Sequence, residues 1–395
     1  MAAGVSFSVI DRLLIHLSRI DPEESSLSAG RETMTTSLDW GSLIRKSALE
    51  GVTPLVYRNL KPLRGVVPGE VLDELRSVYY RNALRNELLF RTASVLLRQV
   101  RGAGLRVAVT KGARLALSLY PDPGLRAFAD IDLLVHPGDW PLLQKILEEQ
   151  GFKAISARQS RFDPKKRFLH WTFSPYYCLG DLFIELHFVY LGLHLPFLSE
   201  EDLWASAGTV ESGELEITVL SPEYELCYLC LHALQHSYSR LLWLTDIAEH
   251  ATRGKVDWDR AARICRNEGI TAGVRHGLDL VNALWPGSLP DDVPAKFRVT
   301  PLEARLMGLL WPAESILSRS DTFLLPYYSP TFFVLLARKK PLLAVRTLVR
   351  ILFPPKAWVA ESYDIPPHSV RILLHYAWRV YRPFQLMVRQ WLGGK

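Results

Sequence analysis

Cysteine is scarce in this chain. Cys178, Cys227, Cys230 and Cys265 are the four in 395 residues. They are too few and too irregularly spaced for a disulfide framework, so a reducing, cytoplasmic setting is expected. Long apolar runs are also lacking. No stretch reaches the ~20 consecutive apolar residues that a membrane-spanning helix needs. The nearest approach, Thr322 to Ala337, contains Pro326 and Pro330 and is flanked by charge. The first residues do not read as a signal peptide, because they carry no basic start and Asp11, Arg12 and His16 interrupt any apolar core. Internal repeats and low-complexity tracts are absent as well, which leaves an ordinary globular chain.

What is present supports that class. Apolar residues make up 48% and charged residues 22%, typical of a soluble globular protein. The length allows two or three folded units with a substantial core. The net charge of +6 is unevenly placed. Residues 338–395 carry eleven Lys or Arg against Glu361 and Asp364, while the rest of the chain holds 36 basic and 39 acidic side chains. The basic character therefore belongs to the C-terminal segment and points there to a polyanionic surface or ligand.

Hydrophobic patterning divides the chain into three parts. Residues 1–103 read as an N-terminal helical region. It includes a helix over 5–20, a linker rich in Ser, Glu, Thr and Gly over 21–37, a helix started by Asp39-Trp40, and a long helix from about Pro68 to Arg101. Residues 104–220 change texture. Leu105 to Thr110 reads as a strand, Lys111-Gly112 as a turn, Ala113 to Tyr120 as a helix and Phe128 to Val135 as a second strand. Asp139 is placed to cap a helix that Gly151 stops. Phe152 to Ala157, Trp171 to Phe173 and Leu182 to Phe188 complete an α+β unit with a small mixed β-sheet. Residues 221–395 are again helical. Their last helix, 368–391, is basic and amphipathic, with Pro383 expected to kink it.

The chemistry concentrates in the middle part. Residues i and i+2 of a strand share a face, so Asp130 and Asp132 point one way while Ile131, Leu133 and Val135 face a core. Charge is costly in so apolar a strand unless it has a partner. Paired carboxylates repel unless a cation lies between them, and hard divalent ions such as Mg²⁺ (or Mn²⁺) are the usual answer. Glu185 can add a third carboxylate as metal ligand or general base, on a strand where Asp181, Phe183 and His187 share its face. The plain alternatives are a solvated Asp pair and an exposed edge strand. Lys111 and Gly112, at a strand-to-helix transition, suit a triphosphate through an ammonium and a close backbone approach. Arg126 can stabilise phosphate charge. A simple turn and a surface arginine are their alternatives.

Three other patterns have structural readings in front. The loop Arg158 to His170 interleaves basic residues with Phe162 and Phe168 and reads as a solvated loop before an acceptor site. His232 and His236 share a helix face at a zinc-compatible spacing, but Ala233 stands where a metalloprotease needs Glu. They read as a helical-interface pair, with Asp246 placed to orient either one. Cys227 and Cys230 have no partner pair and read as core.

Taken together these residues resemble the uncharacterised nucleotidyltransferase family of the polymerase-beta-type superfamily. The likeness rests on Lys111-Gly-Ala-Arg-Leu-Ala-Leu-Ser-Leu-Tyr120, on Pro121-Asp-Pro-Gly-Leu-Arg126, on Asp130-Ile-Asp132-Leu-Leu-Val135 and on Glu185-Leu-His187-Phe188. His232, His236 and the run Leu241 to Ile247 match the family's helical region, and residues 35–260 carry the likeness best. The resemblance implies a small mixed sheet flanked by helices, and transfer of an NMP from an NTP with release of pyrophosphate. By it, Asp130, Asp132 and Glu185 hold the metals. The chain departs from better-known relatives in carrying Lys111-Gly112 where they carry Gly-Ser. The implied acceptor is a hydroxyl on a small molecule, a protein side chain or an RNA end. A basic amphipathic helix within 338–395 can add peripheral contact with an anionic membrane. The rival readings are a non-catalytic nucleotide-binding protein, a membrane- or RNA-binding module centred on 338–395, and zinc chemistry at His232 and His236.

Overall fold

The computed structural model describes residues 7–22, 38–155, 176–188, 200–212 and 215–313, then 316–317, scattered positions from 345 to 370, and the helix Arg371–Gly393. The expected strand at 171–173, the loop 158–170, the apolar stretch 322–337 and most of the linker 21–37 lie outside them.

The N-terminal part is helical: α1 (Val9–Leu17), α2 (Trp40–Glu50), α3 (Thr53–Leu60) and α4 (Gly69–Gly102). Local chemistry sets the boundaries. Ser8 and Asp11 form a capping box at α1. The Asp39 carboxylate accepts from the Ser42 amide at 2.8 Å, and Gly51 ends α2 at φ 76°. The unit that follows contains β1 (Val107–Thr110), α5 (Lys111–Ser118), β2 (Ile131–Val135), α6 (Trp140–Glu149), β3 (Lys153–Ala154), β4 (Tyr176–Leu179) and β5 (Leu182–His187). The short helix α7 (Glu200–Ala205) leads into a hairpin of β6 (Gly208–Ser212) and β7 (Leu215–Val219). Then come α8 (Pro222–Gln235), α9 (Leu241–Arg253), α10 (Trp258–Glu268), α11 (Thr271–Leu284), α12 (Val293–Lys296), α13 (Pro301–Leu310) and α14 (Arg371–Gly393), which continues through Pro383.

Among the described residues the main sheet has the order β1-β2-β5-β4-β3. Only β2 and β5 run parallel; the other pairs are antiparallel. Alternation sorts the side chains. Val107, Val109, Ile131, Leu133, Val135, Leu182, Ile184 and Leu186 enter one apolar cluster, which α6 and the second half of α4 cover. Ala108 and Leu134, on the opposite face, join a larger cluster built by α1 to α3 and α8 to α11. The sheet is thus covered by helices on both faces over part of its width, a mixed α+β architecture.

Several expectations shift in detail. Lys111 is not a turn residue: α5 starts there directly, with Lys111 at φ 53°. Strand β2 begins at Ile131, so Asp130 precedes it. The Asp139 carboxylate does not cap α6. It accepts instead from Arg106, through the guanidinium at 2.9 and 3.0 Å and the backbone N–H at 2.9 Å, tying the approach to β1 to the start of α6.

The turn between α5 and β2 is held from two sides. From α4, Asn82 donates to the Gly124 carbonyl at 2.6 Å, Asn86 to those of Pro123 and Arg126 at 2.8 and 3.0 Å, and Arg85 to those of Phe128 and Ala129. From α9, Asp246 takes the Arg126 guanidinium at 2.6 to 3.0 Å and the Tyr120 hydroxyl at 2.8 Å. The Tyr120, Arg126 and Asp246 side chains are buried, whereas Asn82 is half-buried and Arg85 exposed. Removing one charge of such a pair strands the other in the interior, which typically costs ~3–5 kcal/mol. Asp246→Asn is therefore expected to lower unfolding stability by about that much, and Tyr120→Phe by about 1 kcal/mol, as read by urea denaturation at pH 7.

Buried imidazoles set an acid limit. His250 is fully buried, its Nε2–H donating to the Pro222 carbonyl at 2.8 Å. Burial, helped by the Arg114 guanidinium, pushes its pKa down to about 4. An unfolded histidine takes its proton near pH ~6.5. The folded state binds fewer protons between those values, so this contribution is intact above pH ~6.5 and is lost as pH falls toward 4. The loss is on the order of 3 kcal/mol. Urea midpoints at pH 7 and pH 5 should show it, and His250→Gln should flatten the difference.

Candidate active site

Strand register creates the site. Asp132 on β2 lies directly opposite Glu185 on β5, Thr110 on β1 lies opposite Asp132, and Tyr176 on β4 lies opposite Glu185. Residues opposed in adjacent strands project from the same face, so these four form a row across the sheet. His187, two residues after Glu185, points the same way. The floor under the row is apolar, and helix α8 passes over it with Tyr228.

Ligand atoms of Asp132, Glu185 and His187 all lie within 4.8 Å of one another. Asp132 and His187 are buried and Glu185 nearly so. The His187 Nε2 is 2.8 Å from Asp132 Oδ1 and 3.4 Å from Glu185 Oε2. The Lys111 ammonium enters the same space. It donates to Asp132 Oδ1 at 2.6 Å, and it stands 3.3 Å from His187 Nε2 and 4.0 Å from Glu185 Oε2. Its Nζ also sits 5.7 Å from the centre of the Tyr228 ring.

The electrostatics follow from this crowding. Burial opposes the charged Lys111, but Asp132 first and then Tyr228 and Glu185 hold its pKa above the usual lysine value. Burial also opposes an ionised Glu185, yet His187, Lys111 and a hydrogen bond from the Tyr176 hydroxyl bring its pKa far below the normal carboxylate range. For His187, burial and Lys111 both disfavour the proton, while Glu185 and Asp132 outweigh them and raise its pKa. Asp130 stands half-buried at the rim. Burial first, then the charges of Asp132 and Glu185, push its pKa up to about 7.

The sequence-predicted residues are thus placed as follows. Lys111, Asp132 and Glu185 come together, with Asp130 beside them. Gly112 is needed for close packing: a Cβ there would lie 2.8 Å from the Phe128 Cβ and 3.3 Å from Arg126 Nη1. Arg126 is committed to Asp246, and Asp246 serves Arg126 and Tyr120 in place of a histidine. His232 and His236 pack against each other and against Trp243, with ring centres 4.8 to 5.1 Å apart. Cys227 and Cys230 are wholly buried, as a core reading requires.

Three contributors were not assigned a role from sequence. His187 was readable, since it shares strand parity with Glu185 and belongs to the motif quoted with it. Tyr176 and Tyr228 carried no signal, because their relevance depends on which strand neighbours β5 and which helix crosses the sheet. Two carboxylates and an imidazole suit a divalent ion, and the nitrogen donor favours Mn²⁺ over the strictly oxygen-seeking Mg²⁺.

Comparison with known proteins supplies the family. No curated protein matches the chain. A solved structure, the crystal structure of an antigenic nucleotidyltransferase-like protein from Paracoccidioides brasiliensis, is similar over 53% of this chain and 91% of its own, at 16% identity and a TM-score of 0.29. So low a TM-score carries no weight on its own. A family model described as an uncharacterised nucleotidyltransferase matches residues 36–286, well over half of the chain. That span contains every residue of the row across the sheet, and the chain belongs to this uncharacterised nucleotidyltransferase family.

Proposed function

We propose that the protein transfers an NMP from an NTP to a hydroxyl acceptor and releases pyrophosphate, with a divalent cation, Mg²⁺ or Mn²⁺, held by Asp132, Glu185 and His187 and approached by Asp130. The observation that carries this reading is the register of Asp132 against Glu185, which brings two carboxylates and an imidazole within 4.8 Å on a buried sheet face. When bound, the cation supplies Lewis-acid stabilisation of phosphate charge. The chain's own residues do the rest. Asp132 and Glu185 set the position of the reacting group, and the Tyr176 hydroxyl fixes the Glu185 carboxylate. The helices over the row exclude water, which strengthens every charge interaction inside. Lys111 provides a cation for triphosphate oxygens. The acceptor is a small molecule, a protein side chain or an RNA end.

Pyrophosphate release from each NTP, with Mg²⁺ and with Mn²⁺, tests this. Asp132→Asn and Glu185→Gln are each expected to lower the rate by about 10²–10³-fold while the proteins remain folded by circular dichroism. NTP binding with no pyrophosphate release by wild type, across candidate acceptors, would instead favour a non-catalytic nucleotide-binding protein.

A second, separate contact is supported by α14. Val370 just before it and Leu374, Trp378 and Tyr381 within it are exposed large apolar groups on a basic segment. Among the described residues no helix is long and apolar enough to cross a membrane, so we read this face as lying on an anionic bilayer surface. Deleting 371–395 should abolish co-sedimentation with phosphatidylserine vesicles at low salt. Undiminished co-sedimentation of the truncated protein would remove this contact.

A further inference from the structure

The mutual position of Lys111 and its neighbours leads beyond the family assignment. Its ammonium lies 2.6 Å from Asp132, 3.3 Å from His187 and 4.0 Å from Glu185. Those are the same three side chains whose ligand atoms cluster within 4.8 Å. A divalent ion bound to carboxylate and imidazole sits about 2.0–2.3 Å from each donor atom. A lysine ammonium already donating to Asp132 at hydrogen-bond distance occupies that volume. Two cations cannot share it, both for lack of room and because of their repulsion.

The backbone shows that this placement is imposed by the fold. Lys111 has φ 53°, in the left-handed region that a long side chain rarely adopts. It is the first residue of α5, between Thr110, which is paired to Asp132 in the sheet, and Gly112, which is locked against Phe128. Both flanks are fixed, and the side chain is thereby aimed across the sheet at β2 and β5. Strain of this kind persists where the surroundings over-determine it, typically at functional positions. The Tyr228 ring lies over the ammonium on the other side.

We propose that Lys111 is a built-in counter-ion. It holds the metal position when no metal is bound, and it must swing out of that position before a divalent cation can enter. The flexible four-carbon stem allows the ammonium to move with the backbone fixed, and triphosphate oxygens are anions suited to receive it. Without it the carboxylates would have only His187 and the Tyr176 hydroxyl to offset their repulsion in a buried setting. With Lys111 present they are neutralised in the empty enzyme, and metal binding becomes a cation exchange. This inference rests on the metal-dependent reading given above.

The test is calorimetric titration of MnCl₂ into EDTA-stripped wild type and Lys111→Met, without nucleotide. Removing the competing ammonium should tighten Mn²⁺ binding at least tenfold. In EDTA the variant should melt at a lower temperature than wild type, and Mn²⁺ should raise its melting temperature by more than it raises that of wild type. Adding Asp132→Asn to Lys111→Met should abolish the gain, which locates the ion. Equal Mn²⁺ affinity in wild type and Lys111→Met overturns the counter-ion role and leaves the metal site standing. Absence of Mn²⁺ binding in both overturns the counter-ion role and the metal-dependent reading together. Should Lys111→Met fail to fold, Lys111→Gly, which removes the strain at φ 53°, answers the same question by the same criteria.

Discussion

Two carboxylates opposed in parallel strands on a covered sheet face are the constraint from which the rest of the site follows. At 4.8 Å or less, and an effective dielectric of about 20, their repulsion is about 3.5 kcal/mol or more. The sheet cannot relieve it by sliding, because a one-residue slip would turn Ile131, Leu133, Ile184 and Leu186 out of the core. The compensation has to come from side chains that reach in. Lys111 does so from the start of α5, His187 from the same strand as Glu185, and Tyr176 through a hydroxyl hydrogen bond. Each arrives from a different part of the chain, and each is held by its own packing.

A second set of buried charges keeps that arrangement rigid. Arg126 and Asp246 pair across the boundary between the turn before β2 and α9, and Arg114 on α5 meets Glu225 on α8 at 2.7 Å. Burial dominates the behaviour of Glu225, whose pKa is pushed up to about 7 despite the arginine beside it. These pairs fix the angle at which the helices cross the sheet, and hence the position of Tyr228 over Lys111. Arg126, read from the sequence as able to stabilise phosphate charge or as a surface arginine, is buried in one of these pairs.

Much of this was legible in the sequence, for identifiable reasons. Period-two alternation in Ile131 to Val135 and Leu182 to His187 exposed both the core face and the polar face, since parity along a strand is a local property. Asp39, Gly51 and Gly151 marked helix ends through local capping chemistry. The α+β core, the long helix and the grouping of Lys111, Asp132 and Glu185 followed. What was hidden is non-local. Nothing in β2 announces β5 as its parallel neighbour, and nothing in Arg126 announces a partner 120 positions away. The hairpin of β6 and β7 is a different case: Leu215-Glu-Ile-Thr-Val219 alternates cleanly, and only its shortness obscures it. Gly112 had a glycine's usual ambiguity, between a ligand approaching the backbone and a side chain doing so. Phe128 decides it.

Helix α4 has a further consequence. At 34 residues it is about 50 Å long, and its side chains are divided between the two apolar clusters. Val71 and Leu75 belong to the helical one, while Leu89 to Val100 belong to the one beneath the sheet. A single continuous rod thus serves as a structural member of both. Neither cluster can melt without exposing half of that rod, and loss of one removes the template on which the other forms. The two are expected to unfold in a single cooperative transition, so the sheet that carries the candidate site shares the thermal limit of the helical half and has none of its own.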